Sequence, residues 1–162
     1  LGKYLHDVME AEHKSDFCIG VAGYPEKHME APSLQTDLRR LKEKVDAGAD
    51  YVVTQMFFDN EKYFEFVEIA KKAGINVPII PGIKPLAVKR HLQLLPQVFK
   101  IDIPEELISE VEKCKDNKAV RQVGIEWAIK QSKELQKFGV PVLHYYSMGK
   151  SDNIKAIASE MF

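Results

Sequence analysis

The fold is decided by the stretch Asp46-Ala-Gly-Ala-Asp-Tyr-Val-Val-Thr-Gln-Met-Phe-Phe-Asp59. Its pattern predicts the end of a helix, a turn at Gly48, a buried strand and the cap of a second helix. Tyr51 to Val53 are consecutive apolar residues, as expected of a strand covered on both faces. Thr54 and Gln55 then interrupt the apolar run where the strand should end. Because parallel α/β folds bind ligands beyond the carboxyl ends of their strands, Gln55 is the first candidate for a binding site.

The rest of the chain repeats this alternation of strand and helix. Further strands are predicted over 17–23, 77–82 and 140–146, and the segments between them have helical apolar spacing. Helix caps are predicted at Ser33, at Asp59 or Asn60, and at Asp116 or Asn117. Extra helices are predicted before the last strand, with Pro96 closing one and Pro104 starting the next. Alternating units indicate a parallel sheet with right-handed crossovers. Four strand–helix units are too few for a closed barrel, so the predicted fold class is α/β, either a small open sheet or half of a (β/α)8 barrel.

Composition argues against several classes of function. The chain has 162 residues, of which 45% are hydrophobic and 29% charged, and its formal net charge is −1. This charge argues against a broad nucleic-acid face, and no apolar run is long enough to cross a membrane. The five histidines have no metal-ligand spacing, so no metal site is expected. Cys18 and Cys114 form no redox motif, and lone thiols suit a cytoplasmic protein.

Polar side chains follow four of the predicted strands. If the strands are parallel, these side chains gather on one rim of the sheet: Tyr24 and His28, Thr54 and Gln55, Lys84, and Tyr146 with Lys150. No phosphate-binding glycine motif or nucleophile elbow follows any strand. Each residue taken alone has a structural explanation, since Tyr24 could pack over the sheet edge and His28 could be solvated. Trp127 and His144 are expected in the core.

Several linked motifs resemble methylenetetrahydrofolate reductase. They are Gly23-Tyr-Pro-Glu-Lys-His28, Asp37 with Lys44, Lys44-Val-Asp-Ala-Gly-Ala-Asp50, Thr54-Gln-Met-Phe-Phe-Asp59, Pro81-Gly-Ile-Lys-Pro85 and His144-Tyr-Tyr146. The resemblance implies that residues 1–162 are a single partial domain, the C-terminal half (about strands 5–8) of a flavin-dependent TIM barrel. That family reduces 5,10-methylenetetrahydrofolate to 5-methyltetrahydrofolate with NADH or NADPH through FAD, a step of one-carbon metabolism and methionine biosynthesis.

The resemblance also assigns binding residues by position. Those implied to contact FAD are Tyr24, His28, Ala31, Asp37 and Lys44, the last two at its ribose and diphosphate. Those implied to contact the folate or the nicotinamide nucleotide are Gln55, His91, Tyr146 and Lys150. Gln55 would touch both ligands in turn, since an amide can donate and accept. His91 stands where the family has a glutamine, and Lys150 stands where some members have an arginine.

The family's acidic catalytic residues belong to the other half of the barrel, so no catalytic residue is expected in this chain. The chain begins at Leu1 and not at Met, and we predict that it is a piece of a longer protein, inactive alone. Open sheet edges must be covered, so we expect a homo-oligomer or pairing with the missing half-barrel. Two alternatives remain: a non-catalytic half-barrel that binds nucleotide or a partner chain, and an unrelated parallel α/β enzyme acting on phosphorylated small molecules.

Overall fold

The computed structural model describes residues 17–149 and 151–162. Its strands form one parallel sheet in chain order: β1 (Gly20–Gly23), β2 (Tyr51–Met56), β3 (Ile79–Ile83) and β4 (His144–Tyr145). The helices are α1 (Leu34–Asp46), α2 (Asn60–Lys72), α3 (His91–Phe99), α4 (Glu105–Lys113), α5 (Asn117–Phe138) and α6 (Asp152–Met161). The predicted parallel α/β fold is therefore confirmed. The helix predicted at the start of the chain and the candidate Lys150 lie outside the described residues.

Three helices begin at side-chain caps where the sequence predicted them. The hydrogen bonds run from the amide of Thr36 to Ser33 Oγ (3.1 Å), from the amide of Glu61 to Asp59 Oδ1 (3.0 Å) and from the amide of Ala119 to Asp116 Oδ1 (2.8 Å). Each cap satisfies one of the amides that the first turn of a helix leaves unpaired. These caps fix where α1, α2 and α5 leave their preceding loops.

The prediction that Pro96 closes a helix is wrong, because α3 continues to Phe99. A proline at this position removes only the bond that its amide would give to the carbonyl of Leu92. Its own carbonyl still accepts from the amide of Lys100 at 3.0 Å, and Lys100 ends the helix with a φ of 53°. The short helix therefore tolerates the loss of one bond.

The two outer strands are shorter than predicted. Ladder pairing begins only at Gly20 in β1, and β4 is confined to His144 and Tyr145. Pro141 cannot donate to a ladder, and Val142 is 51% exposed, so the segment before β4 gains little from pairing. Apolar residues alone therefore predicted more strand than the sheet contains.

The apolar core consists of two clusters joined by β2 and α5. The first surrounds Val52 and contains Phe57 and Tyr63, whereas the second surrounds Met56 and contains Phe58. Helix α5 lies directly on the backbone that follows β3, since a Cβ at Gly124 would be 2.0 Å from the carbonyl oxygen of Leu86. This close approach places the start of α5 beside the carboxyl end of β3.

Candidate functional site

Side chains from non-adjacent strands meet on one face of the sheet. Tyr146, immediately after β4, crosses β3 and donates from its hydroxyl to the backbone oxygen of Thr54 at 2.9 Å. The ring passes over Gly82, where a Cβ would lie 2.6 Å from a carbon of the Tyr146 ring. Glycine is required there because any side chain would displace the tyrosine. Tyr146 is thus brought to the residue that precedes Gln55.

Gln55 keeps a free donor at this strand end. Its side chain is half-buried, and Oε1 accepts from the amide of Met56 at 3.0 Å. Within the described residues Nε2 has no hydrogen-bond partner. An amide group whose nitrogen is unused can donate to a ligand at no cost to the protein's own hydrogen bonds.

The loop after β1 is organised around Asp37. The backbone amide of His28 donates to Asp37 Oδ2 at 2.8 Å, and the rings of Tyr24 and His28 meet edge to face, 4.5 Å apart. The buried Ala31 is held by Lys27, whose Nζ donates to its carbonyl at 2.6 Å. Burial raises the pKa of Tyr24, and the charge of Asp37 raises it further. The structure therefore brings together four predicted cofactor residues in one loop and one helix turn.

Tyr24 and Tyr146 are electrostatic neighbours. Burial raises the pKa of Tyr146, and the neighbouring Tyr24 raises it further. Since the two residues follow β1 and β4, their proximity spans the sheet. The candidate residues Tyr24, Gln55 and Tyr146 therefore lie at the same carboxyl end of the parallel strands.

Lys44, the fifth predicted cofactor residue, lies in the last turn of α1, whereas Asp37 lies in the first. Their separation along the helix axis is about 10 Å. Lys44 is exposed, and its Nζ lies 3.4 Å from the carbonyl oxygen of Ala22. No carboxylate of the described residues pairs with it, so its charge is available to an anion.

A cavity of about 370 Å³ lies between the loop after β3, α3 and the first turns of α5 and α6. Its apolar wall comes mainly from α3 and contains Leu94, Leu95, Val98 and Phe99. Its polar groups include Lys84, His91, Arg121 and Tyr146. This combination suits a ligand that joins an apolar ring to an anionic group.

Two basic residues of this cavity are strongly desolvated. Lys84 is 7% exposed, and its Nζ lies 3.5 Å from the carbonyl oxygen of Tyr146. Burial lowers the pKa of Lys84. Burial also lowers the pKa of His91, and the charge of Lys84 lowers it further. His91 Nδ1 accepts from the amide of Ala87 at 3.3 Å, so a neutral His91 presents Nε2–H as its donor.

Sequence reasoning misplaced one residue and missed two. His144, expected in the core, is exposed, and its ring meets that of Tyr146 at 4.7 Å. Arg121 lines the cavity, but no sequence pattern pointed to it. Glu26 accepts from the amide of Asp102 at 2.8 Å through Oε2, whereas its buried Oε1 has no partner. The only sequence feature that pointed to Glu26 was its position inside the motif Tyr24–His28.

Glu26→Gln is expected to stabilise the protein at pH 8 and to have little effect at pH 5. Burial raises the pKa of Glu26 from 4.5 to about 7 in the folded protein. Between these values the folded state holds a proton that the unfolded state has released, so stability falls as pH rises and the penalty is complete above pH 7. Because this carboxyl is partly exposed, Glu26→Gln should raise the free energy of unfolding at pH 8 by about 1 kcal/mol. Urea unfolding at both pH values measures it, with the exposed Glu160→Gln as control; an equal effect at both pH values would contradict the assignment.

Within the part of the chain that the structure describes, no helix is long and apolar enough to span a membrane. The same residues contain no group of three or more His, Cys, Asp or Glu side chains able to hold a metal ion.

The chain has a parallel α/β fold with its candidate site and a cavity at the carboxyl ends of the strands. Residues 3–161 match the family model of methylenetetrahydrofolate reductase. The chain belongs to the methylenetetrahydrofolate reductase family, which removes the alternative of an unrelated parallel α/β enzyme.

Individual relatives cover nearly all of the chain. A probable methylenetetrahydrofolate reductase (NADPH) from Caenorhabditis elegans is 37% identical over 152 residues, which are 93% of this chain and 23% of that protein. Methylenetetrahydrofolate reductase (NADH) 1 from Arabidopsis thaliana is 42% identical over 82% of this chain and 24% of its own length. The 5,10-methylenetetrahydrofolate reductase of Escherichia coli is 39% identical over 88% of this chain and 49% of its own. The chain thus spans 23% to 49% of the length of these relatives.

A solved structure supports the fold. It is an uncharacterised protein from Clostridium thermocellum described as binding two copies of 5-methyl-5,6,7,8-tetrahydrofolic acid, with a TM-score of 0.62 and 23% sequence identity. The superposition covers 90% of this chain and 52% of the other.

Proposed function

We propose that this chain is the flavin- and folate-binding part of a methylenetetrahydrofolate reductase, which reduces 5,10-methylenetetrahydrofolate to 5-methyltetrahydrofolate. The observation that carries the proposal is the hydrogen bond from Tyr146 to the backbone of Thr54, beside Gln55 and close to Tyr24. Two ligands that exchange hydride with one flavin must reach one place in turn, and these residues lie at one end of the sheet.

The residues after β1 and on α1 have the donors and acceptors that FAD requires. Lys44 has no carboxylate partner within the described residues and can pair with a diphosphate. Asp37 uses one carboxylate oxygen for the amide of His28, which leaves the other for ribose hydroxyls. Tyr24, His28 and the small, buried Ala31 would form the surface against the rest of the cofactor. When bound, FAD supplies hydride transfer between NADH or NADPH and the folate.

The substrate side uses residues on β2, β4 and α3. Gln55 offers an unused amide donor to whichever ligand occupies the opening, and Tyr146 offers its ring because its hydroxyl is already engaged. His91 presents a neutral donor at the cavity, where it can serve in place of a glutamine. Lys150 is assigned to the folate by position in the sequence.

The same proposal includes a partner and a location. The outer edges of β1 and β4 are unpaired within the described residues, and such edges associate with other strands unless they are covered. They would pair with the other half of a barrel or with a second copy of the chain. The free thiols of Cys18 and Cys114 favour the cytoplasm.

The experiment is a flavin and turnover assay on the protein purified intact from its source. The sample should be yellow, NADH or NADPH should bleach it without oxygen, and 5,10-methylenetetrahydrofolate should restore the colour and yield 5-methyltetrahydrofolate. Sedimentation of the same sample should show a mass above that of one 162-residue chain. A protein that takes up FAD but never reduces the folate would be a non-catalytic half-barrel, and a colourless protein that cannot be loaded with FAD would end the proposal.

A further inference from the structure

Arg121 has an unfilled hydrogen-bonding requirement inside the cavity. Its Nε is buried without a partner, and its side chain makes no hydrogen bond or ion pair with the described residues. Arg39, by contrast, is exposed and pairs with Glu43 at 2.7 Å. Asp152 also lines the cavity but lies beyond ion-pair distance of Arg121. A half-buried guanidinium with no acceptor is costly, which indicates that the acceptor comes from a ligand.

The backbone at Arg121 is held in place by helix packing. It lies one turn before Gly124, and Gly124 presses α5 against the backbone of Leu86. Leu86 follows Lys84 by two residues, so the same contact holds both cations at one cavity. A site that is already ordered loses less entropy when its ligand binds.

The surroundings indicate what kind of anion would bind. The wall from α3 is apolar and can receive an aromatic ring, whereas Ser147, Asp152 and Asn153 line the other side of the cavity. A planar guanidinium matches a carboxylate or a phosphate through two parallel hydrogen bonds. The ligand should therefore carry an aromatic ring together with one of these anionic groups.

Resting on the proposed function, we infer that Arg121 anchors the carboxylates of the benzoylglutamate end of the folate, with the benzoyl ring against Leu94, Leu95 and Val98. Arg121 is then a specificity-determining residue that selects the folate over the nicotinamide nucleotide. Lys84 adds positive charge to the same cavity, but the guanidinium fork defines the orientation of the bound carboxylate.

Arg121→Gln should raise both the KM for 5,10-methylenetetrahydrofolate and the Kd for 5-methyltetrahydrofolate by about ten- to a hundredfold, since it removes a charge-assisted hydrogen bond. Arg121→Lys keeps the charge but loses the two parallel hydrogen bonds of the guanidinium. Its KM and Kd should therefore lie between those of Arg121→Gln and those of the wild type. Flavin reduction by NADH or NADPH should stay unchanged in rate and apparent affinity. The assays use the intact flavin-loaded protein, and Arg39→Gln serves as the matched control.

A truncated ligand tests the same idea without relying on a variant that folds. A tetrahydropterin without the benzoylglutamate should bind wild type more weakly than 5-methyltetrahydrofolate does, and it should bind Arg121→Gln as well as it binds wild type. An unchanged folate Kd in Arg121→Gln, or an equal loss of nicotinamide affinity, would overturn the inference while leaving the reductase proposal intact. A wild-type protein that binds no folate at all would overturn both.

Discussion

Gly124→Ala should lower the free energy of unfolding by about 3 kcal/mol or more, although alanine is the better helix former. The added methyl would lie 2.0 Å from the oxygen of Leu86, 2.7 Å from its nitrogen and 2.8 Å from its carbonyl carbon. These are backbone atoms, so no side-chain rotation relieves the overlap. Either α5 or the segment after β3 must move, and the second apolar cluster would open.

Gly139→Ala is the matched control, because Gly139 ends the same helix with a φ of 96° and a methyl added there would meet nothing within 4 Å. Gly139→Ala should lower the free energy of unfolding by only about 1 kcal/mol, which is the strain of an alanine in the left-handed conformation. Urea unfolding followed by circular dichroism compares the two variants. If Gly124→Ala is no less stable than Gly139→Ala, the close packing of α5 on Leu86 is not present in solution.

Gln55→Ala should slow both half-reactions, flavin reduction by the nicotinamide nucleotide and flavin reoxidation by the folate, by about ten- to a hundredfold. The reason is that each ligand in turn loses the donor supplied by Nε2. Rapid-mixing absorbance at the flavin band measures the two steps separately. Flavin content and thermal stability should remain those of the wild type, because the substitution removes only the hydrogen bond that Gln55 Oε1 accepts from the amide of Met56.

Gln55→Glu distinguishes donation from acceptance, because a carboxylate keeps the acceptor and loses the donor. If donation from Nε2 matters, this variant should be as impaired as the alanine variant. Gln122→Ala on the exposed face of α5 controls for the loss of a glutamine elsewhere. Rates within twofold of wild type in both half-reactions would remove Gln55 from the mechanism.

Local sequence rules succeeded where a few neighbouring residues decide the outcome. A cap was predicted at Ser33, and Asp59 and Asp116 were each one of two candidate caps, because a short polar side chain bonds to an amide two or three residues along the chain. The same rules failed at Pro96, whose effect depends on whether the helix around it is long enough to need the missing bond. His144 was misplaced because an apolar neighbourhood in sequence says little about which face of a strand is covered.

The predicted site residues followed from strand ends and from the motif resemblance. The structure places His91 and Tyr146 at the cavity and Tyr24 and Gln55 at the carboxyl end of the sheet, whereas Lys44 lies in the last turn of α1. Their roles stay predictions until the assays above are made. Arg121 and Glu26 carried no comparable signal, since a charged residue on a helix or in a loop is usually solvated. Their burial became visible only with the elements that pack over them.

By itself the sequence determined the order of strands and helices, the parallel α/β class and the places where three helices begin. All of these depend on hydrophobic periodicity and on contacts within a turn or two of chain. Only the tertiary structure decided that Tyr146 reaches Thr54 across 92 residues, that Glu26 binds the backbone 76 residues away, and that Arg121 enters the cavity. Those contacts require distant elements to pack at one distance and angle. The missing side chain of Gly82 leaves room for the ring of Tyr146, and that of Gly124 lets α5 approach Leu86.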